Sequence, residues 1–123
     1  MRRMWRATLN SWRGLVAAAK SEAALREELV ALALGIPLAF VVTPFAWKRL
    51  ALIGAILLLI VVELLNTAIE KLSDHVTTTH HPDIGRIKDM SSAAVGIALA
   101  IAGLTWLLAL AEWTGLALWL GFL

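Results

Sequence analysis

Residues 50–74, LALIGAILLLIVVELLNTAIEKLSD, decide the fold of this chain. The stretch is apolar over close to the ~20 residues that a helix needs to cross a ~30 Å hydrocarbon core. Its later part carries polar side chains at spacings of three, four and four: Glu63, Asn66, Glu70 and Asp74. Residues at these spacings share one face of a helix. The stretch therefore predicts a membrane-spanning helix with a single polar face.

Glu63 lies inside the apolar run, where an ionisable side chain costs roughly 2.5 to 3.5 kcal/mol on insertion scales and is normally kept for a task. The rise of 1.5 Å per residue places it roughly 10 Å deeper than Glu70. A base near the hydrocarbon boundary, with further polar groups nearer water, suits a reaction between a lipid and a soluble co-substrate. The alternative for Asn66 is a hydrogen bond that simply joins two membrane helices.

The chain as a whole is too apolar for a soluble domain of its size. Its 123 residues are 60% hydrophobic, and the mean hydropathy is +0.80. Three runs approach the length of a membrane crossing: about 29–47, 50–70 and 93–115. Pro37 and Pro44 predict a kink or a shortened crossing in the first run. We therefore predict an all-α integral membrane protein with three transmembrane helices in one domain, residues 1–123.

The polar segments predict the topology. Residues 1–20 place Trp and aliphatic side chains on one stripe between basic residues, which is typical of an amphipathic helix in the membrane interface. Residues 75–87 combine β-branched, Pro and Gly residues and predict a loop, in which neighbouring His80 and His81 are poorly placed to share a metal ion. Six Lys or Arg residues precede the first run, two lie in the first connection and three in the second. This distribution predicts a cytoplasmic N-terminus and loop, and basic residues that meet lipid headgroups rather than nucleic acid.

Three helices make a thin bundle that cannot enclose the polar face, so a homo-oligomer is expected. Further charged residues fall near the same interface: Glu22, Arg26, Glu28, Arg86, Lys88 and Asp89. Carboxylates from separate helices, in a chain without cysteine, suit a hard cation such as Mg²⁺. Each is otherwise an ordinary interfacial charge. The common nucleotide-binding motifs are missing. The residues alone therefore leave an enzyme and a transporter open.

Two elements carry a resemblance to a known family. The first is residues 63–70, ELLNTAIE, followed by Asp74, and the second is residues 88–95, KDMSSAAV. Together with residues 11–15, SWRGL, and 22–26, EAALR, they resemble the prokaryotic diacylglycerol kinase family, which consists of small trimeric membrane kinases. The resemblance covers nearly the whole chain. It implies phosphoryl transfer from MgATP to the free hydroxyl of a membrane lipid, by a homotrimer in the bacterial inner membrane.

The resemblance also implies roles for individual residues. Glu63 matches the general base that takes the proton of the lipid hydroxyl, and Glu22 and Glu70 match the metal ligands. The residues that match family positions near the nucleotide are Arg3, Asn66, Asp74, His81, Lys88 and Asp89. Positions near the lipid match Arg3, Trp12, Ala24, Arg26, Glu28, Arg49, Ser92 and Trp106.

The chain departs from the better-known members of that family in places. Asn10, Thr79 and His80 stand where those members carry other residues near the nucleotide, so adenine contacts are expected to differ. Residues 116–123 form an additional apolar tail. The second element is nearer the diacylglycerol branch, with undecaprenol as the alternative acceptor. A small proton-coupled transporter or an accessory membrane subunit would explain the intramembrane Glu63 but not the gathered charges.

Overall fold

The computed structural model describes residues 1–77, 79–115 and 121 of the chain. Regular structure in this part is entirely α-helical: α1 (Arg2–Ser21), α2 (Ala23–Val42), α3 (Ala46–Val76) and α4 (Pro82–Trp113). The predicted all-α class is confirmed. The apolar tail predicted at 116–123 lies outside the described residues except for Gly121.

Helix α1 is amphipathic, as its sequence pattern predicts. Trp5 and Trp12 are each 64% exposed. Nearer its C-terminal end, Ala18 and Leu15 pack into an apolar cluster with Leu25 of α2. The helix thus keeps an exposed aromatic surface while its last turns join the bundle.

The first predicted span, 29–47, is wrong at its C-terminal end. Helix α2 ends at Val42, because Pro44 disfavours helical backbone at the residue before it. Thr43 is accordingly extended, with φ −147° and ψ 143°. Its side-chain oxygen accepts a hydrogen bond from the Phe45 backbone N–H at 3.2 Å, which stabilises the turn into α3.

The predicted loop at 75–87 is too long at both ends. Helix α3 continues through the first two residues of that range, and α4 begins with Pro82, leaving residues 77–81 as the connection. Proline fits the first helical position because its missing N–H would have no partner there. The side chain of His81 caps the helix, since its Nδ1 accepts a hydrogen bond from the Asp83 backbone N–H at 3.2 Å.

Helix α3 lies at the centre and packs against α2 and α4. Gly35 of α2 allows close approach: a Cβ atom there would lie 2.6 Å from Ile56 Cδ1 and 3.4 Å from Trp106 Cζ2. The Trp106 indole N–H in turn donates to the Leu52 carbonyl at 3.0 Å, which joins α4 to α3. Of the described helices, α3 and α4 are long and apolar enough to cross a membrane. Most of α4 is exposed in a single chain.

Candidate active site

The polar face predicted on α3 is present, and its burial is graded along the helix. Glu63 is 6% exposed and Asn66 9% exposed. Glu70 is half-buried, and Asp74 is exposed at the open end. Eleven residues at 1.5 Å each separate Glu63 from Asp74 by about 16 Å. One helix face therefore leads from a buried carboxylate to a polar opening.

The Asn66 side chain is held from both sides. Ser91 of α4 donates its hydroxyl to Asn66 Oδ1 at 2.7 Å, and Asn66 Nδ2 donates to Glu70 Oε1 at 3.3 Å. Because an amide has one acceptor and one donor end, the hydroxyl on Oδ1 turns the NH₂ group toward Glu70. Ser91 is itself buried, at 7% exposure. The orientation of the Glu70 carboxylate thus depends on a side chain of α4.

Ser91 contacts the candidate site through Asn66, and the sequence reasoning missed it because the family resemblance pointed to its neighbour Ser92. In the structure, Ser91 faces α3 and Ser92 is exposed. A signal was available: Ser91 follows Lys88 by three residues and so shares its helix face. Lys88 forms an ion pair with Asp74 of α3, with Nζ 2.7 Å from Oδ1.

The Asp74–Lys88 pair lies in a polar cleft between the end of α3 and the start of α4. Thr79, His80 and His81 line the same cleft, which has a volume of about 200 Å³. Lys88, hydroxyl groups and imidazoles offer hydrogen-bond donors to a phosphate-bearing ligand, which would compete with the Asp74 carboxylate for Lys88.

Two further carboxylates come from the region of α2: Glu22, which directly precedes the helix, and Glu28 within it. Glu22 and Glu70 lie close enough to Glu63 to repel its negative charge, and Glu28 does the same from the next turn of α2. Glu28 Oε1 is buried and accepts no hydrogen bond from the described part of the chain. Carboxylates from α2 and α3 therefore converge on the buried end of the polar face.

The available carboxylates fit Mg²⁺ better than a metal ion that needs three or more protein ligands. Within residues 1–77, 79–115 and 121, no three His, Cys, Asp or Glu side chains are grouped to hold an ion by themselves. Mg²⁺ is commonly held by one or two carboxylates, with water and substrate phosphates completing its octahedron. Glu22 and Glu70, which the family resemblance matches to metal ligands, both lie near Glu63.

Some predicted site residues lie elsewhere in the single chain. Arg49 donates to the Thr43 carbonyl at 2.9 Å and lies over the Phe40 ring at 4.3 Å, at the turn between α2 and α3. Fourteen residues of α3, about 21 Å, separate it from Glu63. Trp106 belongs to the packing near the same turn. The remaining predicted residues that are exposed in the single chain are Arg3, Trp12, Ala24, Arg26, His81, Asp89 and Ser92.

The fold and the site define a class: a helical membrane protein with a carboxylate-rich site between a buried helix face and a polar opening. The profile of the prokaryotic diacylglycerol kinase family matches residues 9–110. The chain is 45% identical over 96 residues to the diacylglycerol kinase of Escherichia coli K12, covering 78% of this chain and 79% of that protein. It is 39% identical over 106 residues to the diacylglycerol kinase of Pseudomonas aeruginosa, covering 86% of each chain. The chain belongs to the prokaryotic diacylglycerol kinase family.

Proposed function

We propose that this lipid kinase transfers the γ-phosphoryl group of MgATP to the free hydroxyl of diacylglycerol, producing phosphatidic acid and ADP. The observation that carries the proposal is the Ser91–Asn66–Glu70 hydrogen-bond chain. It lies between a buried carboxylate, Glu63, and the open cleft of Asp74 and Lys88. A kinase that joins a lipid to a soluble nucleotide needs this arrangement of a membrane-facing base and a water-facing phosphate site.

Glu63 acts as the general base. The lipid hydroxyl oxygen forms a bond to the γ-phosphorus, the bond from that phosphorus to the bridging oxygen of ADP breaks, and the hydroxyl proton passes to the Glu63 carboxylate. Because phosphoryl transfer depends mostly on positioning and charge stabilisation, the fixed location of Glu63 on a buried helix face is its main contribution. Glu28, on the neighbouring turn of α2, faces the same space and would contact the lipid headgroup.

The residues toward the opening hold the nucleotide. Glu22 and Glu70 would hold Mg²⁺, which when bound offsets the negative charge of the phosphates. Lys88 adds a second positive charge next to them, and Asn66 fixes the Glu70 carboxylate. The remaining nucleotide contacts are assigned to Arg3, Asp74, His81 and Asp89.

A second copy of the chain would complete the site. The cleft volume of about 200 Å³ is below the 300 to 1,000 Å³ that is usual for small-molecule sites, so one chain supplies only part of a nucleotide pocket. The exposed apolar surface of α4 offers the contact. We therefore infer a homotrimer in the inner membrane, with α2, α3 and α4 crossing it and the N-terminus on the cytoplasmic side. In such an assembly Ser92 of a neighbouring chain would meet the lipid near its hydroxyl. Arg49, about 21 Å along α3 from Glu63, and Trp106, which packs at Leu52, would meet only the more distant part of the lipid.

The test is transfer of ³²P from γ-labelled ATP, with Mg²⁺, to diacylglycerol and to undecaprenol in parallel micelle assays. Glu63→Gln should fold, assemble and bind nucleotide, yet lower turnover by at least about 100-fold, the usual contribution of a general base. Glu112→Gln is the matched control, because that carboxylate pairs with Lys48 at the far end of the bundle.

Near-normal activity of Glu63→Gln would remove Glu63 from the base role. Label on undecaprenol alone would support the lipid kinase activity but show that the acceptor is undecaprenol instead of diacylglycerol. Label on neither lipid, in a folded oligomer, would overturn the proposal and direct the next experiment to proton flux in proteoliposomes.

A further inference from the structure

Cationic side chains from two other helices donate hydrogen bonds to the C-terminal end of α1. Arg26 of α2 donates from Nη1 to the carbonyls of Ala19 and Lys20, at 2.7 and 3.2 Å. Lys71 of α3 donates from Nζ to Ser21 Oγ at 3.0 Å. The last carbonyls of a helix lack intrahelical partners and carry partial negative charge, so cations are well placed there.

These hydrogen bonds lie next to the residue that connects α1 and α2. Glu22 is the only residue that separates the two helices. Its backbone N–H donates to the Ala18 carbonyl at 2.8 Å, and its carbonyl accepts from the Arg26 backbone N–H at 3.3 Å. The backbone N–H of Arg26 therefore contacts Glu22, and its guanidinium contacts the last turn of α1. The position of Glu22 is thereby tied to how α1 is held.

The second cation links this junction to the other carboxylate. Lys71 directly follows Glu70 in α3, and its partner Ser21 directly precedes Glu22. The hydrogen bond from Lys71 Nζ to Ser21 Oγ thus links two side chains, each of which belongs to the residue next to one of the carboxylates. While it is formed, this bond keeps the C-terminal end of α1 next to the part of α3 that carries Glu70.

We propose that Arg26 and Lys71 are positioning residues that hold α1 against the bundle and so set the spacing of Glu22 and Glu70 for the divalent cation. This inference rests on the proposed function for the role of the two carboxylates. It assigns Arg26 to the α1 junction, where Nη1 donates to two carbonyls, rather than to the lipid contact that the family resemblance implies. It also gives a role to Lys71, which neither the sequence pattern nor the family resemblance singled out.

The first measurement is Mn²⁺ affinity by electron paramagnetic resonance, with a non-hydrolysable ATP analogue and the full-length oligomer. Arg26→Met and Lys71→Met should each weaken Mn²⁺ binding by about tenfold, the lower end for groups that orient metal ligands. Lys71→Arg, which keeps a donor for Ser21, should restore most of the affinity. Arg13→Met is the matched control, since Arg13 is an exposed cation on α1.

The second measurement follows α1 itself and needs no activity. The chain contains no cysteine, so Thr8→Cys, an exposed position on α1, gives a single spin-label site. Its depth in the membrane, obtained from oxygen and nickel accessibility, should change in Arg26→Met and Lys71→Met but not in Arg13→Met. Kinetically, the half-saturating Mg²⁺ concentration should rise while the KM for diacylglycerol stays unchanged.

Unchanged Mn²⁺ affinity in both Met variants would overturn the inference. A raised KM for lipid in Arg26→Met, with normal Mn²⁺ affinity, would return Arg26 to a lipid contact and also overturn it. Should Arg26→Met fail to assemble, the exposed Lys71 position carries the test alone. Failure of the proposed function would show separately, as absence of ³²P transfer by the unmodified protein.

Discussion

Ser91→Ala tests whether the hydrogen-bond chain at the site orients catalytic groups. The change removes the donor that holds Asn66 Oδ1 at 2.7 Å and leaves the backbone of α4 intact. Both side chains are less than 10% exposed, at 7% and 9%, so water cannot easily replace the lost hydroxyl. The Asn66 amide is then free to rotate away from Glu70.

The magnitude follows from this burial. A buried acceptor left without its partner costs about 1 to 3 kcal/mol, which we expect as the loss in free energy of unfolding. Where the same interaction orients Glu70 during phosphoryl transfer, its loss lowers kcat/KM by a factor of about 5 to 150, at 1.4 kcal/mol per tenfold. Most of the loss in kcat/KM should appear as an increased Mg²⁺ requirement, because Glu70, a proposed metal ligand, is the affected carboxylate.

Stability is measured by titration with a denaturing detergent in mixed micelles, followed by tryptophan fluorescence, and activity by ³²P transfer. Thr105→Val is the control on the same helix. Its hydroxyl donates to the Ile101 carbonyl at 2.7 Å within α4, so stability should change by no more than about 0.5 kcal/mol. If Ser91→Ala matched this control in both stability and kcat/KM, the reasoning about Asn66 and Glu70 would be refuted.

Two further changes test the site and the packing. Glu22→Ala and Glu70→Ala should each raise the half-saturating Mg²⁺ concentration in the ³²P assay, because each removes a carboxylate; unchanged metal dependence in both would rule out these ligands. Gly35→Ala should lower the free energy of unfolding by less than about 1 kcal/mol, because the new Cβ meets Ile56 Cδ1 at 2.6 Å, the end of a side chain that can shift, and the better helix propensity of Ala offsets part of the cost. Detergent titration measures it, and Gly14→Ala, with open space around it, should show no such loss.

The sequence predicts the features that depend on local pattern. The four-residue polar face of α3 follows from spacing alone, since the helix repeat brings those positions together whatever surrounds them. The break near Pro44 follows from the backbone restriction that proline imposes. The predicted loop at 75–87 is longer than the observed connection between α3 and α4, because proline can either interrupt a helix or start one, and composition alone does not distinguish the two.

Features that depend on contacts between helices could not be obtained from pattern. The choice between Ser91 and Ser92 depends on how α4 is rotated against α3. The contact of Arg26 with the end of α1 depends on the angle between two helices that a single residue connects. Family resemblance named Arg26 as a relevant residue, but the hydrogen-bond partners that suggest how it acts appear only in three dimensions. The residue roles themselves stay predictions until the variants are measured.

Helix α3 has 31 residues without a break, which gives a length of about 46 Å against a hydrocarbon thickness of ~30 Å. Glu63 and the cleft next to Asp74 are therefore fixed at two heights on one rigid element, with no hinge between them. Under the proposed role of Glu63 as the general base, the hydroxyl of the acceptor lipid has to reach the height of Glu63, because no loop carries Glu63 toward it. Selection among lipids then depends on how deep each hydroxyl lies in the bilayer as well as on headgroup shape. The rate of phosphoryl transfer should therefore also depend on bilayer thickness.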